Sequence, residues 1–522
     1  MKVSIFRDIL DFFGENWQKI MSQTFVHTGL TFISLILAVI FSIPLGIWLT
    51  RNQKWASFFI GFASLAQTIP SLALLGLTIP LLGIGFKPAI LVLFIYALLP
   101  ILRNTYTGIL GVDSLVKESA MALGMTQKQI LFQVEIPLAM PVIMAGIRIA
   151  TVINVGVATL AAYIGAGGLG EFIFGGISLN NPAMMLGGAI PAALLAIFLD
   201  FLLSKSEKLN FQKSIIWISS VLILISLGGL YGLAKQNKNQ LLAGFTPEFF
   251  GRLDGYKGLQ LVYHLHINNV IISDAIMYSA IREGALDLIS GYSTDGRIKA
   301  YNLFSLKDNL HVFPPYSAAP IMRIETLKQF PEISGILNLL AGKINDSVMT
   351  SLNYQVDILK RSPNKVAYDF LLKNGIYRPA QKTYGKKFIL GSKIFGEQYI
   401  LSSIYTYLLK GYSHLDVITK TGLGGTQVCF GALQNKAIDM YPEYTGTGLL
   451  VILKPDLHSP QKLKLEVSKF YEWVKYRFEK ELGITWLKPI GFNNSYSLIL
   501  RKEQAKKLHL TTISELKAFT NP

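Results

Sequence analysis

Up to residue 234 the chain alternates long apolar runs with short polar stretches, and beyond 241 its texture changes to short apolar runs among charged ones. A bilayer span needs about 20 mainly apolar residues. Runs of that size fall at 27–49, 56–82, 88–111, 141–163, 183–203 and 214–234, which predicts an all-α polytopic domain with six transmembrane helices. Gly83, Gly85, Lys87 and Pro88 make the turn between the second and third runs. Pro44, Pro70 and Pro191 lie inside spans, where neighbouring helices satisfy the freed backbone. The first 22 residues do not read as a secretory signal, because Asp8, Asp11 and Glu15 interrupt what would be its apolar core. Ile5, Ile9, Phe12, Phe13 and Trp17 form a helical stripe instead, suited to a membrane surface or to packing on the bundle. The glycine-rich stretch 163–182 permits close approach and irregular turns, as a re-entrant element or a plain loop.

Charge assigns the sides. Arg51 and Lys54, then Lys117 and Lys128, then Lys205, Lys208 and Lys213 fall in loops that six spans place on one face. The positive-inside rule makes that face cytoplasmic, so the N-terminus and everything after 234 are expected outside. The 522 residues carry a net charge of +17 and are 51% hydrophobic, and only 16% are charged. No zinc-finger spacing or basic helix points to nucleic acid, so the basic balance belongs with the membrane. Cys429 is the single cysteine, which excludes an intrachain disulfide and a cysteine metal cluster.

Beyond a solvated linker at 234–242, apparent strands such as GLQLVY (258–263) and KKFILGS (386–392) alternate with helical stretches at 273–286 and 459–482. This is α/β organisation with enough chain for two lobes and a ligand cleft between them. The boundaries expected are 1–22 for the amphipathic helix, 23–213 for the membrane-spanning part, 214–234 for the last span, 235–243 for the linker and 244–522 for the outer domain. Aromatic and polar residues cluster in TPEFFGRLDGY (246–256), LISGYSTDGRI (288–298), VFPPYSAAP (312–320), LGSKIFGEQY (390–399), DMYPEYTGTG (439–448) and IGFNNSYSL (490–498). His264 and His266 lack a third nearby ligand, no nucleophile elbow occurs, and no GxxxxGK[ST] phosphate cradle is present. The expectation is neither a metal site nor an enzyme.

The sharpest feature of the first half is VKESAMALGMTQKQILFQVEIPLAMPVIMAG (116–146). Its composition predicts two short helices broken at Gly124, with Pro137 and Pro141 leading into the next span: a compact knob. It resembles the coupling loop of bacterial importer permeases of the ATP-binding-cassette class. The matching positions are Glu118, Ser119, Ala120, Gly124 and Ile136-Pro137-Leu138, with Ser119 a small-for-small departure. That resemblance implies a separate pair of cytoplasmic ATP-binding subunits, a permease homodimer, ATP used by the partner and no cofactor bound by this chain.

The clusters of the second half resemble binding proteins for glycine betaine, choline and related quaternary amines. The resemblance implies a two-lobed, periplasmic-binding-protein-like α/β domain and a tyrosine box for a trimethylammonium head. By matching, the box falls on Tyr292, Tyr316, Tyr444 and Tyr496, and a ligand carboxylate falls to Arg252, Lys393 and Thr447. Phe395-Gly396 stands where many osmolyte binders have part of an Asn-Phe-Thr run. The order departs from the family: GFTPEFFGRLDGY comes first and KKFILGSK opens only at 386, so the domain looks circularly permuted. The function implied is ATP-driven import of a betaine across a bacterial inner membrane, with glycine betaine and ergothioneine the leading substrates. A quaternary-amine-sensing membrane receptor without transport is the alternative.

Overall fold

The computed structural model describes residues 2–179, 181–206, 241–454 and 467–519, in two compact units. The sixth apolar run at 214–234, the linker at 235–240, Lys208 and Lys213 lie outside the described residues.

The first unit is helical. Helix α1 (Lys2–Arg51) contains both the expected amphipathic segment and the first span without a break. Phe12 meets Phe172 edge-on at 6.0 Å and, with Phe13, packs on a small core that contains Ile20 and Leu169, so these two rings of the N-terminal stripe pack within the bundle, whereas Trp17 is exposed. Next come α2 (Gln53–Thr68) and α3 (Ser71–Leu82), α4 (Phe86–Leu110), α5 (Ser114–Ala122), α6 (Gln127–Ile130), α7 (Ile136–Leu160), α8 (Gly170–Ser178) and α9 (Pro182–Ser206). Four helical stretches are long and apolar enough to cross a membrane: α1, α4, α6 through α7, and α9. The pair α2 and α3 makes a fifth only if a span bent by 98° is allowed. Four or five of the six transmembrane helices expected from the sequence are thus present among the described residues, and the sixth run lies outside them. The bend has a local cause: Ile69 precedes Pro70, and a residue before proline is pushed out of the α region, here to φ −69° and ψ 125°. Helix α4 packs on both α1 and α7 around Phe32, Leu35, Ala97, Ile101, Ile143 and Ile147.

The second unit is α/β. Its strands are β1 (Leu242–Phe245), β2 (Asn268–Ile271), β3 (Leu288–Tyr292), β4 (Leu303–Ser305), β5 (Ala318–Arg323), β6 (Lys387–Gly391), β7 (Asp416–Lys420), β8 (Met440–Tyr444), β9 (Ile484–Trp486) and β10 (Tyr496–Arg501). They form two five-stranded sheets, ordered β2-β1-β3-β10-β4 and β7-β6-β8-β5-β9. The two orders are the same pattern, and in each the fourth strand comes from the other half of the chain. Strand β5 follows β4 but runs antiparallel to β8, whereas β10 follows β9 but runs antiparallel to β3. The chain thus crosses between the lobes at both strands.

Strand β5 is buried at all six positions, with Ala318 and Met322 in one core and Ala319 and Ile321 in another, as the two-residue period requires. Opposite it, Pro442 in β8 faces Pro320, so two residues without an N–H share one rung. One strand expectation fails: 258–263 belongs to helix α10 (Tyr256–Tyr263). Tyr256, Leu259 and Tyr263 are buried at i, i+3 and i+7, so the helical period prevails over the β-prone composition. The helices predicted at 273–286 and 459–482 appear as α11 (Asp274–Arg282) and α14 (Val467–Leu482). Between them lie α12 (Asp346–Asp357) and α13 (Gly396–Tyr412).

Candidate functional site

The two crossings gather the expected tyrosines. Tyr292 ends β3 and Tyr496 opens β10, directly opposite in register, with ring centroids 5.2 Å apart and nearly parallel. Tyr316 stands just before β5 and meets Tyr496 edge-on at 5.7 Å. Tyr444 ends β8 on the second sheet. Phe395, at the entry to α13, completes the series: it lies 6.0 Å from Tyr292 and 6.3 Å from Tyr444, with the planes inclined by 10° and 26°. Both lobes therefore contribute to one aromatic cluster.

The polar residues expected around a ligand carboxylate fall in the same cluster, but two of them already have anionic partners. Arg252 is buried and donates from Nε to Asp254 Oδ1 at 2.8 Å, from Nη2 to Asp254 Oδ2 at 2.5 Å, and from Nη1 to Glu248 at 3.1 Å. Its guanidinium carbon is 5.3 Å from the Tyr496 ring centroid. Burial alone would depress this group, but the Asp254 carboxylate overrides burial and holds the guanidinium charged. Lys393 Nζ donates to Glu443 at 2.5 Å and lies 5.2 Å from the Tyr444 ring centroid. Thr447 is buried in the short turn Thr445–Thr447 after β8. That turn presses on the tyrosines: a Cβ at Gly446 would come within 2.7 Å of the Tyr316 ring, so only glycine admits the approach.

A buried carboxylate that the sequence reading did not single out ties these segments together. Glu397, on α13, accepts from Tyr444 Oη at 2.5 Å, Thr294 Oγ1 at 2.8 Å, Asn494 Nδ2 at 2.9 Å and Asn353 Nδ2 at 3.0 Å. Burial raises its proton affinity and outweighs the four donors, which pull in the opposite direction. Tyr316 likewise donates to Asp254, and burial keeps both Tyr316 and Tyr444 protonated. Gln398 adds a donor to Tyr444 Oη at 3.2 Å. The acids were visible as FGRLD, GEQY and PEY, but only the tertiary fold pairs each with its tyrosine or cation.

In the helical unit, the knob forms as expected. Asp113 caps α5, Gly124 adopts φ +83°, and Thr126 and Gln129 make a reciprocal capping box at α6. Glu118 and Ser119 are exposed, Ala120 is buried and Pro137 sits in the first turn of α7. Glu135 lies in a π-helical turn, Leu131–Glu135. It is buried and pairs with Arg51 from the end of α1 and with Lys117 of α5 at 3.5 Å. Leu115, Met121, Leu123 and Phe132 remain exposed around the knob, Leu123 at 83%. Among the described residues, no group of three metal-ligating side chains occurs.

A helical membrane unit bearing such a knob, continuous in sequence with a two-sheet unit whose crossings build an aromatic box, defines a transport permease fused to a substrate-binding domain. The chain belongs to the quaternary-amine importers of the ATP-binding-cassette class. Residues 229–373 and 386–522 match the substrate binding domain of ABC-type glycine betaine transport systems, and 42–212 match the inner membrane component of binding-protein-dependent transport systems. The permease part is 51% identical over 199 residues to the carnitine transport permease protein OpuCB of Listeria monocytogenes, covering 38% of this chain and 91% of that one. It is 48% identical over 200 residues to the choline transport system permease protein OpuBB of Bacillus subtilis (strain 168), covering 38% of this chain and 92% of that one. A relative that combines both parts is the ergothioneine transport permease/ergothioneine binding protein EgtU of Helicobacter pylori (strain G27), 27% identical over 492 residues, covering 66% of this chain and 88% of that one.

Proposed function

We propose that this chain imports a betaine-type quaternary ammonium compound, with glycine betaine or ergothioneine as the leading substrate, across the inner membrane. Its binding domain, 244–522, works on the outer face and its knob engages a cytoplasmic ATPase pair. The observation that carries the substrate class is the convergence of Tyr292, Tyr316, Tyr444 and Tyr496 from both lobes into one cluster. A quaternary ammonium donates no hydrogen bond, so ring faces must select it, at about 0.5–2 kcal/mol per desolvated ring. Arg252, Lys393 and Thr447 are the candidates for a ligand carboxylate. Because Arg252 and Lys393 are ion-paired within the chain, a choline-type cation lacking a carboxylate is a second reading with support of its own.

The exposed apolar residues of the knob support docking on the ATPase, with Glu118, Ser119, Ala120, Gly124 and Pro137 as its framework, and two copies of the chain would present two knobs. The family match in two separate stretches, divided between 373 and 386, is consistent with a circularly permuted domain. Permutation leaves a cleft intact when the old ends lie close together.

Calorimetric titration of the full chain in lipid nanodiscs with glycine betaine, choline, carnitine and ergothioneine tests this reading. Tight binding of a betaine with weak choline assigns the carboxylate role to the basic residues. Equal binding of choline leaves recognition to the rings alone. Failure to bind any quaternary amine overturns the proposal together with the quaternary-amine receptor and restores other ligand classes.

A further inference from the structure

Two of the four clustered tyrosines, one from β8 and one from the approach to β5, donate their hydroxyls to buried carboxylates: Tyr444 to Glu397 and Tyr316 to Asp254. Resting on the quaternary-ammonium reading above, we infer that Glu397 acts through Tyr444 to charge-tune the box, and that Asp254 does so more weakly through Tyr316. The chain thereby selects its ligand by positive charge and not by the trimethyl shape alone.

The chemistry is that of a phenol bonded to an anion. As the O–H proton is drawn toward the carboxylate, the phenol oxygen releases more density into the ring, and a cation is attracted by the negative potential of the ring face. The effect needs a phenol that stays protonated and an acceptor that keeps its charge. Four neutral donors from four segments hold Glu397, and among the described residues it makes no ion pair. Its field therefore reaches the Tyr444 ring without a neutralising partner in a region of low dielectric. Asp254 shares its charge with Arg252 through two bonds, which sets the order of the two effects. Lys393 lies beside Tyr444 but is matched by Glu443, so that pair adds little net charge. Glu397 is in this sense a positioning and tuning residue, since it acts on the ligand through a ring.

The test separates charge from shape. The full chain in nanodiscs is titrated with choline, and the neutral isostere 3,3-dimethyl-1-butanol is measured by its displacement of choline. Glu397→Gln keeps the side-chain shape, and Tyr444→Phe keeps the ring while removing the donor. Each variant is expected to weaken choline about tenfold, within the range of one ring's contribution, while the isostere's affinity stays within about twofold. Asp254→Asn is expected to shift the choline-to-isostere ratio less. Equal loss of both ligands in Glu397→Gln, or an unchanged ratio in Tyr444→Phe, overturns the inference and leaves Glu397 a packing residue. If the unmodified chain binds neither choline, tetramethylammonium nor glycine betaine, the functional reading fails first and takes the inference with it.

Discussion

At the scale of single residues, the binding unit buries its charges in pairs, and each pair sets a stability expectation. Removing one partner of a buried ion pair leaves an uncompensated charge at a cost of about 3–5 kcal/mol, whereas replacing both by apolar groups is often neutral. Glu443→Gln, which strands the Lys393 ammonium, should lower the unfolding free energy of the binding unit, read from urea titration, by an amount in that range. The double variant Glu443→Leu with Lys393→Met should recover most of it; tryptophan fluorescence, reporting on buried Trp486, follows both. Cys429 offers a second check. Burial raises its thiol to about 12, so almost no thiolate exists at neutral pH. Maleimide should leave it unmodified in the native chain and label it fully in denaturant; rapid native labelling would contradict the packing around Phe430 and Leu433. The tyrosines were legible in the sequence because a matching family places them in short quoted clusters. The bonds that hold them were not, because Thr294, Asn353, Glu397 and Asn494 are separated by up to 200 positions in the chain and meet only across the fold. The assignment of Arg252 and Lys393 to a ligand carboxylate had the same weakness: a sequence displays a cation but not the partner that already neutralises it.

At the scale of elements, the knob and the spans show which signals are local. The capping box Thr126-Gln129 and the break at Gly124 depend on residues a few positions apart, and the structure places the break where the sequence predicts it. The bend between α2 and α3 was half visible, since Pro70 stood inside a long apolar run, but apolarity alone cannot separate one straight span from two short helices. The stretch 258–263 misled because β-prone residues were weighed above a helical period of buried positions. The knob's attachment depends on Glu135, which ties α5 to the end of α1 through Lys117 and Arg51. Gly124 is set at a positive φ, where a side chain costs about 1–2 kcal/mol. Gly124→Arg should therefore abolish copurification of the ATPase pair while leaving ligand titrations unchanged. Tyr444→Ala should do the reverse, weakening ligand binding at least tenfold with assembly intact. Equal loss of both properties in both variants would sink the division of labour between the two units.

At the scale of the whole molecule, the binding unit is built from two sheets of one pattern that exchange strands β5 and β10. The identity of the two orders, β2-β1-β3-β10-β4 and β7-β6-β8-β5-β9, means that either half can come first in the chain without altering the pairing within a sheet. What the order does change is which segments are covalently joined. Here Pro315 and Tyr316 lead into β5 on the way out of the first sheet, and Asn494 and Tyr496 lead into β10 on the way back. Both crossings carry residues of the aromatic cluster, so under the proposed function a hinge motion of the lobes would move the ligand contacts with it. Cleft chemistry should then depend on the crossings and not on where the chain is opened. A rearranged chain tests this: 386–519 placed directly after the last membrane segment and joined by a short glycine-serine link to 241–379. It should bind the same quaternary amine with a dissociation constant within about threefold of the natural order, because both crossings and all strand pairings are retained, and a kcal/mol of strain would already exceed that ratio. A tenfold loss with the rearranged domain still folded by circular dichroism would mean that the chain ends themselves tune closure, and that the order of the two halves in this chain matters to binding.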